Sequence, residues 1–259
     1  MRVSIQAMEL FKLEQIDVEV EGRTSVHGVS FEVRPGEIHI LMGPNGSGKT
    51  TLLNGILGHP KYTITSGRIL LGGEDVTTLS TDMKARKGIF LSQQYLPEIP
   101  GVRVTNFLYR LYKIHHGDDI SVKDFNMKLQ SEAREIGIPQ ELLERELNVG
   151  LSGGEKKLSE VLQLALLRPH FALLDEIDSG VDRDSLLKVY RTITRLARDH
   201  QVGFILVTHS TGILDHIEPH AVHIMAEGKM VKSGGGELLQ RITESGYNDL
   251  VADDRAKNE

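Results

Sequence analysis

The chain has 259 residues, of which 39% are hydrophobic and 25% are charged, which is typical of a globular protein. Its formal net charge of −6 at pH 7 argues against general nucleic-acid binding, because that function usually requires a basic surface. It contains no cysteine, so the chain itself can form no disulfide and no thiolate-bound cluster. We find no signal peptide and no membrane-spanning apolar run, and we expect a cytoplasmic protein without membrane insertion.

The first part of the chain predicts strands, a glycine-rich loop and a helix. Alternating apolar residues between positions 10 and 33 predict short β-strands. An apolar run at 37–42 predicts a buried strand, and residues 49–57 predict a helix. Further short strands are predicted at 68–71 and 88–91. The basic residues Lys84, Arg86 and Lys87 are interpreted as a solvated surface run.

A helical region then interrupts the strands. Three helices are predicted, at residues 104–116, 121–138 and 139–146, and Ser121 is the expected N-cap of the second. No strand is expected between residues 95 and 149.

Strands and helices alternate again towards the C-terminus. The predicted elements are a helix at 155–167, a strand at 171–174, a helix at 184–199, a strand at 202–208, a hairpin at 221–232 and a helix at 237–244. We therefore predict an α/β core formed by residues 1–94 and 156–250, a helical subdomain at 95–155 and a flexible tail at 251–259.

A phosphate-binding motif lies between the buried strand and the first helix. Residues 43–50 match the pattern G-x-x-x-x-G-K-[ST], whose glycines let backbone N–H groups converge on phosphates at a helix N-terminus. Lys49 is expected to reach the β- and γ-phosphates of ATP, Thr50 to ligate Mg²⁺ and Thr51 to donate a further hydrogen bond. The predicted contacts are Gly43, Pro44, Asn45, Gly46, Ser47, Gly48, Lys49, Thr50 and Thr51.

Two carboxylates and a histidine follow buried strands farther along the chain. Asp175 and Glu176 come directly after the strand at 171–174, and the carboxyl ends of parallel strands face the binding crevice. We predict that Asp175 binds Mg²⁺ and that Glu176 is the general base that polarises the attacking water. His209 follows the strand at 202–208 and is expected at the same edge. The predicted catalytic residues are thus Lys49, Glu176 and His209.

A second motif, Leu151-Ser152-Gly153-Gly154-Glu155, resembles the LSGGQ signature of ABC ATPases, with Glu155 in place of the glutamine. In that family the signature of one subunit closes over the ATP of the other. The resemblance therefore implies a transient, ATP-driven homodimer in which Ser152, Gly153, Gly154 and Glu155 contact the partner's nucleotide. It also identifies Gln94 as the Q-loop glutamine, a contact of nucleotide and Mg²⁺, and Asp182 as the D-loop residue at the dimer interface.

The same resemblance implies an α/β P-loop NTPase cassette with a RecA-like core, an N-terminal antiparallel β region and a helical subdomain. Residues 98–102, Lys156-Lys157 and residues 178–182 resemble more narrowly the SufC ATPases of the SUF iron–sulfur cluster assembly system. That resemblance implies a SufB- or SufD-type scaffold protein as partner, bound through residues 94–112 and moved by closure of the dimer. The candidate contacts, which are alternatively packed inside the subdomain, are Tyr95, Phe107, Leu108, Leu111 and Tyr112.

Two other functions stay open: the nucleotide-binding subunit of a membrane ABC transporter, and a nucleotide-gated clamp that does not serve transport. Val20 occupies the place where the family often stacks an aromatic ring on adenine, so weaker adenine contacts are expected. His216, His220 and His223 have no acidic or cysteine neighbours in the sequence, and we assign no metal site to them.

Overall fold

The structure is a computed structural model that describes residues 10–92 and 96–247. The remaining positions, 1–9, 93–95 and 248–259, lie outside the described residues. They include Gln94 and Tyr95, as well as the tail predicted at 251–259. Among the described residues, none of the helices combines the length and hydropathy that crossing a membrane requires.

A six-stranded sheet forms the centre of the molecule. Its strands are β3 (Ile38–Met42), β6 (Ile89–Ser92), β9 (Phe171–Asp175), β10 (Gly203–Val207), β11 (Ala221–Ala226) and β12 (Lys229–Gly234). Their order is β12-β11-β3-β10-β9-β6, and all but β12 run parallel. Every residue of β3, β9 and β10 is buried, as expected for parallel strands covered on both faces. Since β10 lies between β3 and β9, the carboxyl ends of these three strands share one edge.

A second, antiparallel sheet packs against the first through a helix. It contains β1 (Phe11–Val20), β2 (Arg23–Val33), β4 (Tyr62–Leu71) and β5 (Glu74–Asp75) in the order β2-β1-β4-β5. Helix α1 (Lys49–Leu57) has the predicted bounds. Its residues Leu52, Leu53 and Ile56 share one buried cluster with strands of both sheets, so burial of this apolar face fixes the helix between the two layers.

The remaining helices cover the other face and one end of the central sheet. They are α2 (Thr81–Arg86), α3 (Val104–His116), α4 (Val122–Ile136), α5 (Gln140–Glu144), α6 (Gly153–Leu167), α7 (Arg183–His200), the 3₁₀ turn Thr211–Asp215 and α8 (Glu237–Ser245). Helix α3 has the predicted bounds, and Ser121 caps α4 as predicted by accepting a hydrogen bond of 3.1 Å from the Asp124 N–H. Glu132 on α4 accepts hydrogen bonds from Arg168 and Arg195 and so connects α4 to α6 and α7.

The prediction that no strand lies between residues 95 and 149 is wrong. Strands β7 (Ile99–Arg103) and β8 (Glu146–Leu147) pair antiparallel around the helices α3, α4 and α5. Pro100 and Gly101 suggested a turn, because both residues are rare in strand interiors. The pairing partner lies far along the chain, so the local pattern did not reveal it.

Lys84 also differs from its prediction as part of a solvated run. Its side chain is fully buried, and its ammonium group donates hydrogen bonds of 2.7 Å to the Ile56 carbonyl and 3.1 Å to the Thr77 carbonyl. Burial lowers the pKa of Lys84 to about 8. The lysine therefore binds one carbonyl group at the C-terminal end of α1, where a cation suits the helix dipole, and one in the loop after β5.

The observed layers agree with the α/β cassette architecture predicted from the sequence. The proposed boundary between subdomains at 155/156 stays a prediction, since α6 begins at Gly153 and continues across it.

Candidate active site

The glycine-rich loop connects the carboxyl end of β3 to the first turn of α1. At Gly43 a Cβ atom would lie 2.0 Å from the Met225 carbonyl oxygen, so no other residue fits there without moving the backbone. Gly48 has φ 101° and serves as the N-cap of α1 without a side-chain hydrogen bond. The first N–H groups of α1 thus carry no side-chain cap at the place where a phosphate is expected to bind.

Lys49 lies across the mouth of this loop. Its ammonium group donates hydrogen bonds to the Gly43 carbonyl at 2.9 Å and the Pro44 carbonyl at 3.0 Å, and lies 3.4 Å from the Ser47 hydroxyl. Burial lowers the pKa of Lys49, and the nearby carboxylates Asp175 and Glu176 oppose that shift. A phosphate oxygen is a stronger acceptor for this cation than a carbonyl group is.

Asp175 ends β9 and faces the start of α1. Its carboxyl group is buried and interacts with the Thr50 hydroxyl. Burial raises the pKa of Asp175, and its Oδ1 atom has no hydrogen-bond partner among the described residues. A buried carboxylate oxygen without a partner, next to a hydroxyl, fits Mg²⁺, which prefers hard oxygen ligands and keeps several waters.

Glu176 and His209 face each other across the ends of β9 and β10. The Glu176 Oε1 atom lies 3.5 Å from the His209 Nε2 atom, and both side chains are partly open to solvent. The Glu176 backbone has φ 48°, a left-handed conformation that is uncommon for residues other than glycine. Its N–H donates to the Val207 carbonyl at 3.0 Å, which stabilises this conformation. Unusual backbone angles of this kind cluster at functional sites.

The second motif forms the N-terminus of α6. The Ser152 hydroxyl accepts from the Glu155 N–H at 3.2 Å, and the Glu155 carboxylate accepts from the Ser152 N–H at 2.8 Å. This capping box satisfies the backbone N–H groups of Ser152 and Glu155, so these two groups are not free to bind a nucleotide phosphate. The capping box does not use the two glycines of the motif. Their lack of a side chain allows close packing, since a Cβ at Gly154 would lie 2.5 Å from the Asp182 carboxylate.

Asp182 is the N-cap of α7, a role that was not predicted from the sequence. Its Oδ1 atom accepts a hydrogen bond of 2.9 Å from the Ser185 N–H, and that bond lowers the pKa of the carboxyl group. Within residues 10–92 and 96–247, no hydrogen bond joins the segment Ser152–Glu155 to the P-loop of the same chain. The structure therefore gathers Lys49, Thr50, Asp175, Glu176 and His209 at one sheet edge and leaves the second motif apart from them.

The predicted partner contacts on α3 are buried or half-buried, and none of these four is fully exposed: Phe107, Leu108, Leu111 and Tyr112. Leu108 is only 2% exposed, and Phe107 and Tyr112 pack partly buried against the core. A different face of α3 is open: with Arg86 of α2 it borders a groove of about 840 Å³. The residues lining this groove are Arg86, Asn106, Tyr109, Arg110, Lys113, Ile114 and Asp118.

A buried histidine pair, not expected from the sequence, lies on β3 and β11. The His39 Nδ1 atom is 3.0 Å from the His223 Nε2 atom, and the outer nitrogens contact Glu37 at 3.1 Å and the Ser233 hydroxyl at 2.8 Å. Burial lowers the pKa of His223 to about 4. The described residues contain no group of three or more side chains able to hold a metal ion. The contacts of the pair connect β3 to β11 and β11 to β12.

Comparison with known proteins agrees with this geometry. The family model for ABC transporters matches residues 26–179, more than half of the chain. Vegetative protein 296 of Bacillus subtilis is 42% identical over 93% of each chain. The probable ATP-dependent transporter SufC of Escherichia coli is 40% identical over 93% of this chain and 99% of its own length. The iron–sulfur cluster assembly protein SufC of Plasmodium falciparum is 39% identical over 90% of this chain and 69% of its own length.

Solved structures show the same fold. The ATP-binding subunit of an ABC transporter superposes with a TM-score of 0.78 at 17% identity, over 95% of this chain and 99% of that one. A dimeric cassette in a post-hydrolysis state, bound to ADP and Pi, gives a TM-score of 0.76 at 18% identity, over 87% of this chain and 98% of that one. The chain belongs to the family of ABC ATPases, and within it the chain resembles SufC.

Proposed function

We propose that this chain hydrolyses Mg-ATP in a head-to-tail homodimer and uses the resulting motion to drive a SufB- or SufD-type scaffold during iron–sulfur cluster assembly in the cytoplasm. The observation that carries the catalytic part is the common edge of β3, β9 and β10, where Lys49, Asp175, Glu176 and His209 converge. The relatives named SufC support the choice of biological process.

In this proposal each residue at the edge has one task. Lys49 binds the β- and γ-phosphates, and Thr50 with Asp175 and Gln94 holds Mg²⁺, which neutralises charge on the phosphates when bound. Glu176 accepts a hydrogen bond from the attacking water, and His209 orients that water or the γ-phosphate. The glycines of the second motif complete the site of the opposite subunit, as the resemblance of Leu151–Glu155 to the ABC signature implies.

Replacing Glu176 by glutamine tests the hydrolytic part. We expect ATP turnover to fall by about 10²–10⁴-fold, the usual weight of general-base catalysis, while ATP binding stays within a few-fold. Equal turnover in the Glu176→Gln variant and the unmodified protein contradicts the assignment. The exposed Glu141→Gln substitution on α5 is a matched control, because it removes one carboxylate far from the site.

The groove between α2 and α3 is the proposed docking surface for the scaffold. Arg86, Arg110 and Lys113 give it positive charge on a chain with a net charge of −6, and Asp118 pairs with Lys113 at 2.8 Å. Ile114 is 55% exposed beside these cations. Charge complementarity therefore favours an acidic partner segment that also carries an apolar side chain.

Co-purification tests the partner. The unmodified chain is expected to bring down a scaffold protein, and Arg110→Glu is expected to weaken that recovery at least several-fold while leaving ATP affinity unchanged. Charge reversal on an unrelated face, at Arg191 of α7, provides the matched control. Equal recovery of the scaffold protein with the Arg110 and Arg191 variants contradicts the proposal that this groove is the docking surface.

A second function, ATP-binding subunit of a membrane transporter, is supported by another relative. A probable ABC transporter ATP-binding protein of Streptococcus pyogenes is 41% identical over 95% of this chain and 96% of its own length. The catalytic site is the same in the two proposed functions, so only the partner distinguishes them. Co-purification of a hydrophobic permease instead of a scaffold protein supports the transporter function.

A further inference from the structure

The loop that follows β9 and the loop that follows β10 are joined by more than the Glu176–His209 contact. The Thr208 hydroxyl donates a hydrogen bond of 2.5 Å to the Asp178 carboxylate. The same hydroxyl oxygen accepts a hydrogen bond of 2.9 Å from the Ser210 N–H. Thr208 and Ser210 flank His209 in the sequence, so both neighbours of the histidine are held by one hydroxyl group.

The direction of these bonds follows from the atoms involved. A carboxylate can only accept and a backbone N–H can only donate, so the single proton of the Thr208 hydroxyl lies on the Asp178 side. Thr208 has no exposed surface. A charge-assisted bond that is shielded from water is stronger and more directional than a bond on the surface. The backbone on both sides of His209 is therefore fixed to Asp178.

Asp178 lies two residues after Glu176, in the loop between β9 and α7. The same loop ends at Asp182, the N-cap of α7. The Glu176 N–H bonds the Val207 carbonyl at 3.0 Å. Two independent bonds thus set the separation of the two loops, one through the backbone of Glu176 and one through the side chain of Asp178.

We propose that Asp178 is a positioning residue which, through the Thr208 hydroxyl, holds His209 in register with Glu176 for ATP hydrolysis. This inference rests on the proposed function of Glu176 and His209. Asp178 and Thr208 contact no nucleotide in this proposal. They fix the 3.5 Å approach of the His209 ring to the Glu176 carboxylate, a separation at which small displacements change the efficiency of a catalytic pair strongly.

Substitution at Thr208 tests the inference with little change in shape. Thr208→Val keeps the volume but removes the hydroxyl, and we expect kcat to fall about tenfold or more with KM for ATP within twofold, because a hydrogen bond to a charged group is lost. Thr208→Ser keeps the hydroxyl and is expected to restore most of kcat. Thr192→Val, which removes another buried hydroxyl, one bonded to the Lys188 carbonyl on α7, is expected to leave kcat unchanged.

Combination with His209→Ala shows whether the effect passes through the histidine. We expect Thr208→Val to cause no further loss of kcat in the His209→Ala background. A full, independent loss in that background overturns the inference, and so does a Thr208→Val enzyme as active as Thr208→Ser. If Thr208→Val does not fold, as judged by its thermal unfolding midpoint, Asp178→Ala, which removes the acceptor of the Thr208 hydroxyl, is used in the same cycle with the same expected non-additivity.

The single variant His209→Ala distinguishes a failure of the proposed function from a failure of this inference. Wild-type kcat in the single variant His209→Ala shows that the histidine has no part in hydrolysis, which overturns both the role of His209 and the inference built on it. A large loss in His209→Ala together with no loss in Thr208→Val leaves the proposed function standing and overturns the inference alone.

Discussion

Two helix N-termini in this molecule are built from opposite chemistry. Helix α1 begins after Gly48, has no side-chain cap and carries no acidic residue in its first turn. Helix α6 begins after Ser152, carries a complete capping box and has Glu155 in its first turn. Every helix start leaves N–H groups without partners inside the helix. Helix α1 therefore leaves these groups to a ligand, whereas α6 satisfies part of them itself.

The N-termini of α1 and α6 are therefore expected to contribute unequally to the free energy of nucleotide binding. Lys49 adds a buried cation to the α1 end, while Glu155 adds an anion to the α6 end. An anionic nucleotide is therefore expected to bind first at α1. Under the proposed function, the α6 end is expected to contribute only when the dimer closes, through the glycines and the remaining hydroxyl proton of Ser152.

The largest effect is expected from Lys49→Ala. Loss of charge-assisted hydrogen bonds to phosphate should weaken ATP binding on the order of 10²-fold, as measured by titration with a fluorescent ATP analogue. Lys49→Arg keeps the charge and is expected to lose less affinity. An unchanged affinity in Lys49→Ala breaks the assignment of α1 as the primary nucleotide site.

Gly43→Ala tests the shape of the α1 end. The added Cβ would lie 2.0 Å from the Met225 carbonyl oxygen, so the loop must move, with an expected cost of about 2 kcal/mol in the free energy of unfolding. ATP affinity should fall as well. Gly46→Ala is the matched control, since nothing lies within 4 Å of its Cβ position and only its φ of 77° opposes the change.

Acid should destabilise the central sheet at β11, the neighbour of the strand β3 that leads into the α1 end. The pKa of His223, about 4 in the folded chain, lies below its ordinary value of 6.5, so the unfolded chain takes up this proton first as pH falls. The contribution to stability is complete above about pH 6.5 and is lost as pH falls towards 4, with about 2 kcal/mol lost at pH 5.

Urea unfolding at pH 7.5 and pH 5.0 measures this effect. The glutamine side chain of His223→Gln can still donate a hydrogen bond towards His39 and accept one from Ser233. The variant should reduce the difference in the free energy of unfolding between pH 7.5 and pH 5.0 by about 2 kcal/mol. An identical pH dependence in both proteins contradicts the prediction that the histidine pair is neutral in the folded chain.

Ser152→Ala tests the capping box of α6. Removing an N-cap hydroxyl is expected to cost about 1 kcal/mol in the free energy of unfolding and to reduce ATP-dependent dimerisation. Ser121→Ala is a matched control, because Ser121 caps α4 in the same way. A similar loss of stability is expected there, without loss of dimerisation. Equal effects of both variants on dimerisation would remove the distinction between these helix ends.

The smallest effect is expected from Glu155→Gln. Glutamine can complete a capping box as glutamate does, so the free energy of unfolding should change by less than about 0.5 kcal/mol. Removing an anion near the partner's phosphates should strengthen ATP-dependent dimerisation about two- to fivefold. Weaker dimerisation would show that the Glu155 charge assists closure, contrary to the comparison above.

The sequence by itself determined the local elements whose signals lie within a few residues. Helix α1 could be placed from the glycines and the Lys-Thr pair, and α3 and the Ser121 cap from helical periodicity and capping chemistry. The order of motifs along the chain indicated that Asp175, Glu176 and His209 serve one site, because carboxyl ends of parallel strands meet at one edge.

Tertiary structure alone decided the pairings between distant segments. Ile99 pairs with Leu147 and forms a strand in a segment where proline and glycine are typical of a turn. Lys84, which the local sequence places on the surface, is buried and donates a hydrogen bond to the Ile56 carbonyl at the end of α1. The His39–His223 and Asp178–Thr208 contacts each join residues on different strands or loops. Local patterns cannot specify such contacts, since they arise only when packing of the core brings remote segments together.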